Sequence, residues 1–442
     1  MDRSKNVRVL SLFLFMLMVT TLFSFSVCAE SPSPPEAQNV DAFCVINAEY
    51  KKTVIEKDMK KIIYPASTAK LMTALVAVEH FASDLNTSIT VTEEMLDAVS
   101  GRYFGFTIGE RMRVTDLLHI MLVGGYNDAA IILAYATAGS IEAFSEKMNA
   151  KAAALGANDT HYTNPTGLHD SAMVTTAYDT ALIGLAILEN DTLFTITKTV
   201  KYTVPATNKS EDYTVYNRNA LTTTSMTEEY YYSYAEGMNS GATDEGGDCV
   251  VTVGRLDGLS YVCVVMGGRT ASTDDDTNYA CIAAKNLLRY ALISYEVTTL
   301  FSAKQNVGTI PVRFSATEET VGVRPSRDLS ALLYNGVNIE KEVGFDIEIL
   351  PELLDAPINE GDVVGTIRAI YNGEIIDSTD LVTTVTIVSH GFLIFMYRVK
   401  QVTQHPVFII TLLLAVVGVV YLLLKHFPIN KKKDRHKRNR YF

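Results

Sequence analysis

Apolar residues recur every three to four positions over residues 114–122, 128–138, 141–155 and 176–188, a spacing that gathers them on one helix face and predicts four helices. Residues 71–78 are apolar all round, which predicts a helix buried in a core. Elsewhere the period changes. Residues 43–46, 248–253 and 259–266 are apolar, β-branched runs that predict strands, the last two joined as a hairpin across Arg255-Leu256-Asp257-Gly258. Residues 279–295 read as a closing helix that returns to the sheet. From about residue 298 to 388 the chain turns to short strands, such as 361–371, Asn372-Gly373, then 374–376, which predict a small all-β domain. That region holds no cluster of His, Cys or acidic residues at ligand spacing and reads as a stalk or docking module.

The ends carry a different pattern. Residues 1–29 contain Arg3, Lys5 and Arg8, an apolar run over 9–27, and Val27-Cys28-Ala29 before Glu30, which predicts a signal peptide and an exported protein. A Ser/Pro-rich spacer follows at 30–39, then one domain over 40–296 and a β-rich domain over 297–390. Residues 391–406 form a juxtamembrane segment too short to span and suited to a membrane surface. No residue from 407 to 424 is charged. Eighteen residues at about 1.5 Å each reach roughly 27 Å, enough to cross a hydrocarbon core. The tail, 425–442, is basic, so it is expected in the cytoplasm with the bulk of the chain outside a cell membrane crossed once.

Charge sharpens this division. Of 38 basic and 50 acidic residues, the leader and tail hold eleven and two, leaving 27 against 48 between them, a net of −21. Such an ectodomain excludes nucleic acid as a partner and suits a cation-rich wall environment. Cys44, Cys249, Cys263 and Cys281 remain after processing; Cys249 and Cys263 sit in Val-rich runs, and the four are expected to be free and buried.

The candidate chemistry lies at Ser67-Thr68-Ala69-Lys70, at the start of the apolar helix. Residues three apart share a helix face, so the Lys70 amine reaches the Ser67 hydroxyl, and burial lowers a lysine pKa toward that of a base. His161 and His169 lie eight apart with no matching Asp or Cys spacing, which favours loop hydrogen bonding over a metal or a Ser-His-Asp role. No metal and no cofactor is expected.

Several stretches in order resemble the serine D-alanyl-D-alanine carboxypeptidases among the low-molecular-mass penicillin-binding proteins. They are Tyr64-Pro65-Ala66-Ser67-Thr68-Ala69-Lys70; Gly109-Glu110 to Leu117-Leu118 leading into Asn127-Asp128-Ala129-Ala130; His161 to Asp170 with Thr175-Thr176-Ala177-Tyr178-Asp179; and Thr243-Asp244-Glu245-Gly246-Gly247. Ala356-Pro357-Ile358 and Glu360-Gly361-Asp362-Val363-Val364-Gly365 resemble the family's β-rich C-terminal domain. The resemblance implies an α/β plus all-β architecture. An antiparallel sheet with helices on both sides and a helical subdomain, the penicillin-binding transpeptidase/β-lactamase-like fold, would precede a small β-sandwich and one C-terminal transmembrane helix. It implies cleavage of the terminal D-alanine from peptidoglycan stem peptides ending in D-Ala-D-Ala, through an acyl-serine that β-lactams also form.

By the same resemblance Ser67 is the nucleophile, Lys70 its base, and Asn127 the group that holds the substrate amide and Lys70. Asn239, Ser240, Gly241 and Ala242 form the substrate-docking strand. The backbone N–H groups of Ser67 and Ala242 make the oxyanion hole. Members of the group combine S-x-x-K with S-x-N and K-T-G. Here the second motif is Gly125-Tyr126-Asn127 and the third Asn239-Ser240-Gly241, so a relay serine and a cationic lysine are replaced. A charge-assisted hydrogen bond contributes about 1.5–3 kcal/mol and a proton relay about 10²–10⁴ in rate, so uncompensated loss of both lowers kcat/KM by roughly 10³–10⁶. Two readings follow: an acyl-serine carboxypeptidase, or a homologue of the same fold that binds stem peptides or regulates a relative with little turnover.

Overall fold

The computed structural model describes residues 34–224, 228–270 and 276–426. The signal peptide expected at 1–29, the start of the spacer and the tail beyond 426 lie outside the described residues. Two compact units are present, one running to Glu296 with Tyr334–Gly336 added, the other formed by 297–333 and 337 onward.

The first unit is built on a five-stranded antiparallel sheet in the order Lys52–Lys57, Ala42–Asn47, Leu259–Gly268, Gly247–Leu256, Ala235–Thr243. Alternate side chains of a strand point to opposite faces. Val45, Val250, Cys263 and Val265 therefore pack with helix Tyr279–Ser294, while Cys44, Val251, Val262 and Val264 join the core of the larger helical layer. Both faces are covered, which explains why these strands read as continuous apolar runs. The hairpin turns at Asp257 and Gly258, with φ of 50° and 82°, the two left-handed positions that a two-residue loop between twisted strands requires.

Helix Ala69–His80 lies in the middle of the helical layer, with every residue from Ala69 to Val78 buried. Helices Val114–Leu122, Asn127–Ala138, Ile141–Ala154 and Ala177–Glu189 contribute to the same core. Their observed bounds differ from the periodicity by a residue or so. Side-chain caps set several starts: Ser140 accepts from the Ala143 N–H, Thr176 from Asp179 and Asn278 from Cys281. Strand Lys52–Lys57 and helix Asp191–Thr197 are additions that the apolar pattern does not announce. All four cysteines named above are free and buried, and burial pushes the thiols of Cys44, Cys249 and Cys281 up to about 12, so they are inert at neutral pH.

The second unit holds a six-stranded sheet in the order Val343–Ile349, Val363–Tyr371, Glu374–Thr383, Thr320–Pro325, Gly308–Arg313, Leu354–Asp355. Ile310, Val321, Val323, Ile367 and Leu381 form its core, to which strand Leu329–Tyr334 adds Leu329, Ala331 and Leu333. One helical turn, Ile339–Glu342, lies between strands of this β unit. Helix Gly391–Gln404 follows, then helix Pro406–His426. The last has 21 residues, none of them buried, and an 18-residue stretch of it has a mean hydropathy of 3.1, so it is long and apolar enough to cross a membrane.

Candidate active site

The turn before the central helix is where the backbone departs from regular geometry. Ala66–Thr68 form a 3-10 turn, and Ala66 has φ of 48°, a left-handed value that L side chains rarely adopt. The turn swings Ser67 out of the apolar helix into a cavity of about 550 Å³, while Lys70, one helical turn on, stays fully buried. Lys70 Nζ lies 2.9 Å from Ser67 Oγ and donates to the Thr166 carbonyl at 3.0 Å. Burial, and then the positive charge of Arg102, pull its pKa down from 10.5 to about 7. As an ammonium it donates to Ser67; as a neutral amine it accepts the hydroxyl proton.

The loop that supplies the Thr166 carbonyl is fixed from within. Asn164 Oδ1 accepts from the N–H groups of Thr166 and Gly167 at 3.1 and 2.9 Å and from Thr166 Oγ1 at 2.8 Å. Asn164 Nδ2 donates to the Leu168 carbonyl, and Thr73 Oγ1 of the central helix donates to the Pro165 carbonyl at 2.7 Å. Gly167 lies hard against the strained turn: with φ of 81°, a Cβ there would stand 1.8 Å from the Ala66 carbonyl oxygen. The loop and the Ser67 turn thus hold one another in place.

Strand Ala235–Thr243 forms the facing wall. A Cβ at Gly241 would lie 2.3 Å from Ser67 Cβ and 3.0 Å from Ser67 N, so only glycine permits this approach. Ser240 and Ala242 also line the cavity, and Ser240 Oγ donates to the Arg218 carbonyl at 3.1 Å. Asn239 differs from the expectation that it lines the dock. It is only 4 % exposed and is not among the cavity's lining residues, because it lies on the covered stretch of the strand before the cleft opens at Ser240.

The third wall carries Gly125 and Asn127, both lining the cavity. Asn127 also departs from its expected part in holding Lys70. Its Nδ2 donates to the Ser100 carbonyl at 2.8 Å, while the Lys70 amine contacts Ser67 and Thr166. Asp128, the next residue, accepts the Phe104 and Gly105 N–H groups and so ties the 100–105 loop to this helix start. The Tyr126 ring packs edge-on to Phe104 and lies under the Arg102 guanidinium, 4.4 Å from its carbon.

Arg102 and Arg218, which the motifs do not single out, line both this cavity and a neighbouring one of about 330 Å³ bounded by Tyr126 and Tyr213–Arg218. His169 packs edge-on to Tyr64 and lies 3.8 Å from the Glu245 carboxylate, while the His161 backbone pairs with Val174. Among the described residues no group of His, Cys, Asp or Glu is gathered to hold a metal ion.

Comparison with known proteins places this geometry in context. Residues 28–270 match the family described as D-alanyl-D-alanine carboxypeptidase, and residues 295–389 match the C-terminal domain of penicillin-binding protein 5. The D-alanyl-D-alanine carboxypeptidase DacF of Bacillus subtilis is 26% identical over 394 residues, 86% of this chain and 97% of the relative. DacC of Escherichia coli is 27% identical over 393 residues, 86% of this chain and 91% of its own. Among solved structures, penicillin-binding protein 5 of Haemophilus influenzae superposes with a TM-score of 0.60 at 22% identity, over 81% of this chain and 99% of that one, which shows a shared fold.

Proposed function

The chain belongs to the D-alanyl-D-alanine carboxypeptidase family, and we propose that it removes the terminal D-alanine of peptidoglycan stem peptides through an acyl-enzyme formed on Ser67. The observation that carries this reading is the fully buried Lys70 amine 2.9 Å from Ser67 Oγ, with its pKa near 7. At neutral pH a large share of Lys70 is uncharged and takes the Ser67 proton as Oγ attacks the carbonyl carbon of the penultimate D-alanine. The developing oxyanion is met by the backbone N–H groups of Ser67 and Ala242, donors that do not depend on side-chain identity. D-Alanine leaves with a proton from Lys70, and water then hydrolyses the ester. β-Lactams acylate the same oxygen. With Gly125 in place of a relay serine, proton delivery to the leaving amine during acylation rests on Lys70 alone, so acyl-enzyme formation is slowed.

Helix Pro406–His426 anchors the protein in the cell membrane in this reading, with the catalytic unit outside and the basic tail in the cytoplasm. The test is D-alanine release from a pentapeptide ending in D-Ala-D-Ala. Ser67→Ala abolishes release and Lys70→Ala lowers it by about 10²–10⁴. Release that persists in Ser67→Ala contradicts the assignment.

A further inference from the structure

The Ser67 cavity does not end at the wall of Gly125. A second cavity of about 330 Å³ adjoins it, and the side chains of Arg102 and Arg218 border both. Gly124 lines the second cavity and Gly125 the first, so this glycine pair forms their common edge. Each glycine leaves room that a side chain would take. A Cβ at Gly124 would stand 2.5 Å from two carbons of the Tyr126 ring, and one at Gly125 would stand 3.5 Å from Arg218 Cγ, against the wall the two cavities share.

The second cavity is rich in aromatic rings. Tyr213 and Tyr216 reach it from strand Tyr213–Tyr216, which pairs with strand Lys201–Val204. Val215 between them is buried in the core, and the chain beyond is fastened: Asn217 Nδ2 donates to the Thr197 and Thr199 carbonyls, and Asn219 Nδ2 to the Gly237 carbonyl. Phe104 stands edge-on to both Tyr126 and Tyr213, 5.5 Å from each ring centre, and so sets the spacing of those two rings. Arg102 lays its guanidinium over Tyr126 and donates its Nε–H to the Gly124 carbonyl at 3.2 Å. Tyr213 and Tyr216 are each 53 % exposed, so much of each ring is left uncovered.

In the proposed reaction the leaving amine lies at the Gly125 wall, where the relay serine of the motif would stand. The side chain of the residue that carries this amine therefore starts beside the common edge. In D-alanine it is a methyl group, far too small to fill about 330 Å³. A ring attached through one methylene reaches further, and its faces are attracted by guanidinium groups and by the edges of other rings, whereas a cationic side chain is repelled by Arg102 and Arg218.

We propose that the second cavity is the pocket for the side chain of the released residue, that it suits a C-terminal D-amino acid bearing an aromatic ring better than D-alanine, and that Tyr213 determines this specificity. The inference rests on the reading of Ser67 as the acyl-accepting residue. The bonds are those of that reaction: the Ser67 ester forms, the amide C–N bond to the last residue breaks, the released amine takes the proton held by Lys70, and water hydrolyses the ester. Burying a phenyl ring among these groups contributes a factor of about ten to a hundred.

The test uses full-length protein in detergent and pentapeptides that differ only in the last residue, D-Ala, D-Phe, D-Glu or D-Lys. The released amino acid is measured, and kcat/KM is compared across the four. D-Phenylalanine is expected to be released with a kcat/KM at least about tenfold above that for D-alanine, and D-lysine with one below it. The ratio for D-Phe over D-Ala is kept in Tyr213→Phe and falls to about one in Tyr213→Ala, with melting temperature reporting that each variant is folded. Should Tyr213→Ala unfold, Tyr213→Leu decides, since it keeps bulk against Phe104 without the ring: a lowered ratio supports the pocket and an unchanged one overturns it. A ratio of one or less in the unaltered protein, a ratio unchanged in folded Tyr213→Ala, or D-glutamate released faster than D-phenylalanine overturns it as well. Acylation by benzylpenicillin is followed in parallel. An adduct at Ser67 without a preference for D-Phe sinks the pocket alone; no adduct and no release of any last residue removes the reading beneath it.

Discussion

Among the described residues no acidic group pairs with the buried Lys70 amine, and in the proposed reaction that enclosure sets the pH at which Ser67 reacts. Its pKa of about 7 reflects burial first and the Arg102 charge second. Below that value the amine is protonated and cannot accept the Ser67 proton. The rate of β-lactam acylation is therefore expected to rise about tenfold per pH unit up to about pH 7 and then level off, with the inflection moving upward in Arg102→Gln as the repelling charge is removed. A rate independent of pH between 5 and 9 contradicts Lys70 as the base. At this scale the sequence was legible where chemistry repeats a spacing. Ser67, in the 3-10 turn, and Lys70, in the first turn of the helix that continues it, are three residues apart, and their contact follows from that spacing. Arg102 and Arg218 were not legible, because an isolated arginine in a polar stretch has no spacing to betray it. The only local hint is the Asn217-Arg218-Asn219 run, whose outer residues turn out to be buried clamps. The placement of Asn239 was likewise unreadable, since whether a strand residue is covered depends on where the cleft opens.

Single elements locate Ser67 through two close approaches of backbone, at Gly167 and at Gly241. Gly167→Ala would drive a methyl group into the Ala66 carbonyl, at a φ of 81°. Gly258→Ala meets the same backbone strain at φ 82° with nothing within 4 Å. The second substitution is expected to cost about 1–2 kcal/mol, seen as a small drop in the denaturation midpoint. The first should cost several-fold more and also abolish Ser67 acylation, because the turn must move; equal costs with acylation intact would contradict this account of the loop. The elements themselves were readable where pattern and chemistry agree. Four helices and the Asp257-Gly258 and Asn372-Gly373 hairpins lie close to where period and turn residues put them. Strand Lys52–Lys57 was not, since it is an edge strand in which Ile55 is the one buried residue and the alternation is too weak to see. Helix Asp191–Thr197 follows its predecessor through Asn190 alone, leaving no loop signal between them.

Over the whole molecule, charge and hydropathy are sorted along the chain. An acidic stretch, residues 30–405, precedes a 21-residue apolar helix and a basic tail. Protease added to intact cells is expected to digest residues 30–405 and spare the tail, whereas a protected ectodomain would reverse the proposed orientation. In the proposed reaction the altered second and third motifs leave Ser67, Lys70 and the backbone N–H donors of Ser67 and Ala242 in place. Covalent chemistry at Ser67 is thus the claim on which the rest depends. Its most direct test is incubation of the full-length protein with benzylpenicillin, followed by intact mass and peptide mapping. The account predicts one penicilloyl adduct, on the peptide containing Ser67 and absent from Ser67→Ala. A chain that stays unmodified after long exposure to excess drug, or an adduct that survives Ser67→Ala, would contradict it.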